Sequence, residues 1–168
     1  MNIIVRDPGE ILYDDKVLRC ALGRGGIGPK TGEGDGLTPV GIYPLRSVFY
    51  RPDRLDRPKT GLLTIPLLHT DGWCDDPGHI DYNRQVRTPF EASHEKMWRK
   101  DALYDVVVVL GFNDDPVRPG LGSAIFMHVA RPEYESTEGC VALTLKDLLS
   151  VLEGCTTDSQ IEIMPPAP

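Results

Sequence analysis

The chain has 168 residues and a formal net charge of −7, from 18 lysine and arginine residues against 25 aspartate and glutamate residues. The basic residues are scattered along the sequence, which argues against a surface that binds the phosphate backbone of nucleic acids. The length is that of a single domain over residues 1–168 that buries a core without a metal or a disulfide, and 17 glycines and 15 prolines indicate many loops.

Short runs of β-type residues, separated by glycine and proline, predict a mainly β fold. The predicted strands are 2–6, 11–13, 17–22, 41–50, 61–68, 106–110, 123–129 and 160–164. The unbroken run 106–110 predicts a strand that is covered on both faces near the centre of the sheet. Two short helices are predicted, 93–100 and 144–153, and in the second Thr144 caps the first turn and Gly154 ends the helix. The proline-rich tail, 165–168, is expected to fray.

Neither the apolar runs nor the first residues predict a membrane segment or an export signal. The longest apolar run is 106–112, whereas a transmembrane helix needs about 20 residues. Residues 1–8 contain three consecutive apolar residues with no basic region ahead of them, whereas a signal peptide carries about 7–15 apolar residues. We therefore expect a cytoplasmic location, or a periplasmic one if a leader has been removed. No pattern predicts an oligomeric state.

Two motifs that usually bind cofactors are incomplete in this chain. Residues 23–28 match G-x-G-x-x-G, but Pro29 and the glycines up to Gly36 prevent the helix that would hold a pyrophosphate. The segment therefore predicts a wide hairpin turn. His94 and Glu95 lack the second histidine of a zinc protease motif.

The four cysteines show no paired spacing. They lie 54, 66 and 15 residues apart along the chain, which predicts free thiols rather than a disulfide scaffold. Cys20, Cys74 and Cys155 are expected to be buried small apolar residues. His69 and His79 stand five residues either side of Cys74 and offer three metal ligands without a fourth, so a metal protein is an alternative, and neither a metal nor a cofactor is predicted.

The stretch from Ser123 to Leu143 carries the candidate chemistry. His128 ends an apolar strand, and Gly139 and Cys140 follow after a loop that contains proline. A strand, a returning loop and a cysteine before a helix would bring imidazole and thiol side by side, as an activated nucleophile requires. A free thiol is only about 3% thiolate at pH 7, so an ion pair with His128 would raise its reactivity. Gly139 would let a substrate approach closely, and the amides around Cys140 would face a developing oxyanion.

His128, Thr137, Gly139 and Cys140 resemble the catalytic motif of the YkuD-type L,D-transpeptidase family, in which a histidine is followed by Ser/Thr-His-Gly-Cys. Residues 38–43, Thr-Pro-Val-Gly-Ile-Tyr, are similar to a second segment of that family, so the resemblance covers most of residues 15–155. It implies a mainly β, sandwich-like fold in which Cys140 attacks the peptide bond before D-Ala in a peptidoglycan stem tetrapeptide. Cys140 would form a thioester and release D-Ala, with His128 as the base.

Two residues depart from the family pattern, Glu138 in place of the usual histidine and Ala142 in place of the usual arginine. These departures leave open how the substrate is held, and they motivate the alternative of a non-catalytic module that binds muropeptides. Arg131 is predicted to supply the missing positive charge to a substrate carboxylate. The acyl acceptor is either water, in an L,D-carboxypeptidase, or an amine, in a transpeptidase, and the lack of an export signal slightly favours water.

Further residues are predicted to support this site. A backbone carbonyl or the hydroxyl of Ser123 would orient the second imidazole nitrogen of the catalytic histidine. Thr137 belongs to the family motif and is assigned to substrate binding. Trp73 and Tyr82 lie in a polar segment, 69–95, that is too long for a simple connection and predicts a binding loop or lid over the cleft.

Overall fold

The computed structural model describes residues 2–168 and confirms the mainly β prediction. It contains fourteen short strands and one helix. In chain order these are β1 Asn2–Arg6, β2 Glu10–Tyr13, β3 Lys16–Arg19, β4 Ile27–Gly28, β5 Thr38–Pro39, β6 Gly41–Tyr50, β7 Thr64–Pro66, β8 Asp71–Cys74, β9 Gln85–Arg87, β10 His94–Lys96, β11 Val106–Leu110, β12 Phe126–Val129, β13 Val141–Leu143, α1 Leu145–Glu153 and β14 Gln160–Ile163. Within residues 2–168 no helix has the length and apolar character of a membrane span.

The main sheet has the strand order β13-β12-β11-β6-β14-β1-β2-β3, and β7 pairs with β6 outside this path. Its two ends meet, because Ala21, just after β3, exchanges two backbone hydrogen bonds of 2.7 and 3.0 Å with Ala142 in β13. The sheet therefore curls over its own apolar face and encloses the larger core. This contact also brings the start of the glycine-rich segment beside the strand that follows Cys140.

Strand β11 lies inside the sheet between β12 and β6, and all five of its residues are buried. Successive side chains of a strand point to opposite faces. Val106, Val108 and Leu110 accordingly pack in the larger core, whereas Val107 and Val109 pack in a second, smaller cluster. The predicted strand covered on both faces is therefore confirmed.

The second cluster is covered by a small three-stranded sheet with the order β10-β8-β9. The segment 69–95, which the sequence predicts as a loop or lid, forms most of this sheet. The buried apolar side chains of the second cluster, besides Cys140, are Phe49, Leu67, Trp73, Met97, Tyr104, Val107, Val109 and Phe126. This layer forms one wall of the site.

Helix α1 follows the prediction closely. The hydroxyl of Thr144 accepts a hydrogen bond from the Asp147 backbone N–H at 3.2 Å, and Gly154 ends the helix. The apolar face is fully buried and consists of Leu148, Val151 and Leu152. The spacing of these three residues is that of one helix face, so α1 closes the larger core.

The predicted helix at 93–100 is wrong. His94–Lys96 is instead a strand that pairs antiparallel with β8, so that Glu95 lies opposite Trp73. The hydrogen bonds of this pairing come from a segment about twenty residues earlier in the chain, and they outweigh a weak local helix preference.

Two further predictions fail for reasons of backbone geometry. The strand predicted at 123–129 begins only at Phe126, because Ala124 has a left-handed backbone with φ +54°. The glycine-rich segment, 23–36, is not a hairpin turn, because β4 within it and β5 just after it run parallel.

Candidate active site

A cavity of about 460 Å³ lies over Cys140 and is lined by five of the eight predicted site residues. These are Ser123, His128, Arg131, Thr137 and Cys140. The remaining three, Gly139, Trp73 and Tyr82, do not line it. The structure thus brings together most of the residues that the sequence singled out between 123 and 140.

Strand pairing puts the thiol and the imidazole on one side of the sheet. Strands β12 and β13 are parallel, with His128 opposite Ala142. Cys140 directly precedes β13, two residues before Ala142, so its side chain and that of His128 are diagonal neighbours on one face. This arrangement fulfils the expectation that the strand and the returning loop bring the two side chains together.

Two hydrogen bonds orient the thiol of Cys140. The sulfur accepts the Phe126 backbone N–H at 3.4 Å, and the S–H donates to the Ala124 carbonyl oxygen at 3.3 Å. Cys140 itself is only 8% exposed. The sulfur therefore sits in a defined position at the floor of the cavity.

The imidazole of His128 is oriented by a backbone carbonyl. Its Nδ1 lies 2.9 Å from the Val129 carbonyl oxygen, which makes Nδ1 the protonated nitrogen and leaves the lone pair on Nε2. The edge of the Tyr104 ring meets the imidazole at 5.3 Å between ring centroids. Of the two orienting groups that the sequence left open, the hydroxyl of Ser123 is engaged elsewhere and donates to the carboxylate of Glu33.

Burial keeps both reacting groups neutral at rest. It lowers the pKa of His128 to about 4 and raises the pKa of Cys140 to about 12, where the nearby Glu95 carboxyl adds to the effect. The resting state is therefore a thiol beside a neutral imidazole. Burial of the two side chains works against the resting thiolate–imidazolium pair that the sequence predicted, because it penalises both charges.

The side chain of Thr137 shapes the loop that carries the nucleophile. Its hydroxyl accepts the Gly139 backbone N–H at 3.1 Å and donates to the Cys140 carbonyl oxygen at 2.7 Å. Both hydrogen bonds that the structure gives this hydroxyl are to the loop, and Thr137 also lines the cavity, so its assignment to substrate binding stays a prediction. The Gly139 amide is likewise occupied and does not face a substrate oxyanion.

The glycine-rich segment packs backbone to backbone against this loop. The Arg24 N–H donates to the Thr137 carbonyl oxygen at 2.8 Å, and the Thr137 N–H donates to the Leu22 carbonyl oxygen, just before Gly23, at 2.9 Å. A Cβ on Gly139, which has φ +136°, would lie 2.8 Å from the Leu37 carbonyl oxygen. Gly139 is therefore needed for the close approach of two chain segments. Its role in access of the substrate stays a prediction.

An ion pair at the rim of the cavity involves Glu138, the residue that departs from the family pattern. Arg24 Nε lies 3.1 Å from the Glu138 carboxylate, and the same guanidinium donates to the Gly34 carbonyl at 2.8 Å. The pair is largely exposed. It ties the loop that carries the nucleophile to the glycine-rich segment.

Trp73 and Tyr82 were predicted to line the cleft, and the structure places both elsewhere. Trp73 lines a separate cavity of about 260 Å³ and donates its indole N–H to Asn83 at 3.0 Å. Tyr82 is 1% exposed, and its hydroxyl donates to Glu33 and accepts the Gly122 N–H at 3.0 Å. Trp73 packs in the second core cluster because β8 turns it inward. Tyr82 is held inward by the hydrogen bonds of its hydroxyl to Glu33 and Gly122.

The segment 95–104 supplies cavity residues that the sequence did not identify. Tyr104 donates its hydroxyl to the Glu95 carboxylate, and burial raises the pKa of both groups. The guanidinium of Arg99 lies 5.3 Å from the centroid of the Tyr104 ring. The only sequence signal was the incomplete His94-Glu95 motif, which pointed to a metal rather than to this cavity.

The metal alternative is not supported. The ring of His69 stacks on Trp98 at 3.9 Å, Cys74 is fully buried, and His79 Nε2 lies 3.1 Å from Glu91. Between residues 2 and 168, no three histidine, cysteine or acidic side chains gather so as to hold a metal ion. The five-residue spacing in the sequence does not correspond to a shared site.

A comparison with protein-family models agrees with the motif and the fold. The family model YkuD, described as the L,D-transpeptidase catalytic domain, matches residues 3–163 and thus nearly the whole chain. No curated protein matches the chain.

Proposed function

Because the chain belongs to the YkuD family of L,D-transpeptidase catalytic domains, we propose that it is a cysteine acyl-transfer enzyme acting on peptidoglycan stem tetrapeptides. The observation that carries this proposal is the placement of Cys140 and His128 on one face of paired strands, beneath one cavity. Peptidoglycan as the substrate class follows from the family. The cysteine mechanism and the bond that is cleaved are the proposal.

The first half of the reaction makes a thioester. His128 Nε2 takes the thiol proton while the sulfur bonds to the carbonyl carbon before D-Ala. The C–N bond then breaks, and the same proton goes from the imidazolium to the leaving amine, so D-Ala departs neutral at that nitrogen. Since both groups are neutral at rest, the charge separation exists only while the substrate fills the cavity and excludes water.

A backbone amide supports the oxyanion of the tetrahedral intermediate. The Gly139 N–H is held by Thr137, so the Cys140 N–H is the donor that we assign to this role. The Thr137 hydroxyl fixes the Cys140 carbonyl and therefore the adjoining part of the loop. Thr137 acts as a positioning residue in this scheme.

Arg131 is the residue to which we assign the substrate carboxylate. It is exposed and lines the cavity, whereas Ala142, at the family's arginine position, is 1% exposed within the sheet. Arg131→Ala should raise KM about 10-fold or more with little change in kcat, because a charge-assisted contact to bound substrate is lost. Arg57→Ala, at an exposed arginine outside the cavity, is the control. A lower kcat at unchanged KM would contradict this assignment.

The second half of the reaction resolves the thioester. Water gives a proton to His128 Nε2 as its oxygen bonds to the carbonyl carbon, the C–S bond breaks, and that proton goes to the sulfur, which gives an L,D-carboxypeptidase. Attack by an amine gives a cross-link or an exchanged D-amino acid. Water is the acceptor that we propose first, and the product distinguishes the two acceptors.

Mass spectrometry of the products from an isolated tetrapeptide ending in D-Ala tests the proposal. Tripeptide and free D-Ala are expected, with none from Cys140→Ala. Cys20→Ala is the matched control, because Cys20 is also buried but lies outside the cavity. Dimers or exchange products would show instead that the acceptor is an amine. Absence of any product would refute the enzyme.

A muropeptide-binding module is the second candidate, favoured by the raised thiol pKa and by Glu138. Burial raises the pKa of Cys20 to about 12 and that of Cys155 to about 11, so pKa alone does not distinguish Cys140. Its access to the cavity and its neighbour His128 distinguish Cys140 from the other cysteines. Iodoacetamide should label Cys140 fastest, and His128→Ala should slow that labelling. Equal slow labelling of all four cysteines would favour the binding module.

A further inference from the structure

The backbone of Ala124 adopts a conformation that alanine avoids. Its φ is +54°, in the left-handed region, which is disfavoured for a residue with a Cβ. The carbonyl oxygen of this same residue accepts the S–H of Cys140 at 3.3 Å. The orientation of the thiol therefore depends on a strained peptide, and other contacts must hold that peptide in place.

The side chain of Asn83 holds the Ala124 peptide in place. Asn83 Oδ1 accepts the Ala124 backbone N–H at 3.0 Å and the Trp73 indole N–H at 3.0 Å. Its Nδ2 donates to the carbonyl oxygens of Phe112 at 3.0 Å and Asn113 at 2.8 Å. Asn83 is 6% exposed.

These four contacts use both donors and two acceptor sites of the amide, so its orientation is fixed on all sides. The side chain links the small sheet, through the Trp73 indole, to the turn after β11 and to the peptide that faces the sulfur. The Ala124 peptide is the most direct link from Asn83 to Cys140, because Asn83 binds its N–H and Cys140 binds its carbonyl oxygen.

We propose that Asn83 is a positioning residue for Cys140, which keeps Ala124 left-handed so that its carbonyl fixes the thiol in the cavity. The bond from the S–H to this carbonyl stabilises the protonated thiol, and it holds the sulfur until a base removes the proton. The inference rests on the proposed role of Cys140 as nucleophile. The reactivity of the thiol, however, is measurable without any substrate.

Asn83→Gly is the variant that removes the side chain alone. Asn83 has φ +58°, which glycine adopts freely, so the substitution adds no backbone strain. The matched control is Asn113→Gly, because Asn113 has φ +48° and its side chain makes three hydrogen bonds to the backbone of Arg118 and Gly122 but none to Ala124. Both variants should lower the urea midpoint of unfolding.

The test is a double-mutant cycle with Asn83→Gly, Ala124→Gly and the two combined. Asn83→Gly should lower kcat roughly 10- to 100-fold at nearly constant KM, as expected for a misplaced nucleophile. It should also move the pH profile of Cys140 alkylation by iodoacetamide to lower pH, because the thiol loses its acceptor. Adding Ala124→Gly should restore part of kcat and part of the pH profile of alkylation, because glycine adopts the left-handed conformation unaided.

Two results would overturn the positioning role. One is an alkylation profile of folded Asn83→Gly that superimposes on that of the wild type. The other is a loss that Ala124→Gly does not reduce, or that Asn113→Gly reproduces. If Asn83→Gly does not fold, Asn83→Ser replaces it in the same cycle, because its hydroxyl is too short to make all four contacts.

Failure of this inference is distinguishable from failure of the proposed function. Lack of tetrapeptide turnover in the wild type would refute the enzyme, and the alkylation profiles would still decide the role of Asn83. Turnover in the wild type without coupling between positions 83 and 124 would refute only the positioning role.

Discussion

Replacing Gly139 by alanine tests the packing of the loop that carries Cys140. Gly139 has φ +136°, and a Cβ there would lie 2.8 Å from the Leu37 carbonyl oxygen and 3.3 Å from Ile125 Cδ1. The nearer atom belongs to the backbone of the glycine-rich segment, which cannot rotate away as a side chain can. The new methyl group would therefore displace the loop.

Two costs add in Gly139→Ala. The disfavoured backbone conformation costs about 1–3 kcal/mol, and overpacking against a backbone atom costs about 1–3 kcal/mol more. The free energy of unfolding should therefore fall by about 2–6 kcal/mol. Gly120→Ala is the matched control, because Gly120 has φ +79° and a Cβ there would meet no atom within 4 Å. The control should lose only the conformational part, about 1–2 kcal/mol.

Urea unfolding of the two variants measures the difference, which should appear in the midpoint without a change in slope. Gly139→Ala should also lose roughly 100-fold in kcat/KM where it remains folded, because a shift of the loop by about 1 Å misplaces the sulfur. Equal midpoints for the two variants would refute the packing argument. A normal kcat/KM would refute the claim that this contact sets the position of the nucleophile.

Two further predictions follow from burial. Burial lowers the pKa of His128 to about 4 and raises that of Cys140 to about 12. The pH–rate profile should therefore be flat from about pH 5 to pH 9 and fall at lower pH, where His128 gains its proton. An acid limb near pH 6.5 would contradict this. Asp35→Ala removes the ion-pair partner of the buried Lys30 ammonium and should lower the free energy of unfolding in urea by about 3–5 kcal/mol. Asp114→Ala, at the exposed ion pair with Arg46, should lower it by less than about 1 kcal/mol. Similar losses would contradict burial of the Lys30 pair.

Local sequence patterns predicted the elements whose partners lie in the chain nearby or whose burial is uniform. The apolar run 106–110 indicated a central strand because every residue of it is apolar and four of the five are β-branched. Thr144 indicated the start of α1 because capping depends on the first turn alone. The spacing of His128 and Cys140 likewise indicated a strand and a returning loop, since both lie within one short stretch.

Long-range pairing decided what the sequence predicted wrongly. Segment 93–100 became a strand because β8 supplied its hydrogen bonds, and Trp73 turned inward with that sheet. The same layer places Glu95 and Asn83 near Cys140, although they precede Cys140 by 45 and 57 residues in the sequence. No local pattern encodes such contacts, because their energy is gained only when distant segments meet.

The sequence by itself determined the mainly β fold, the family motif and the identity of the thiol and imidazole, because these depend on residue type and local spacing. Tertiary structure decided the protonation states of the thiol and the imidazole and the contacts that hold them in place. Solvent exclusion makes both groups neutral, and it arises only when two sheets close over them. The close approach of Gly139 to the Leu37 carbonyl likewise exists only once the curled sheet brings the two backbones into contact.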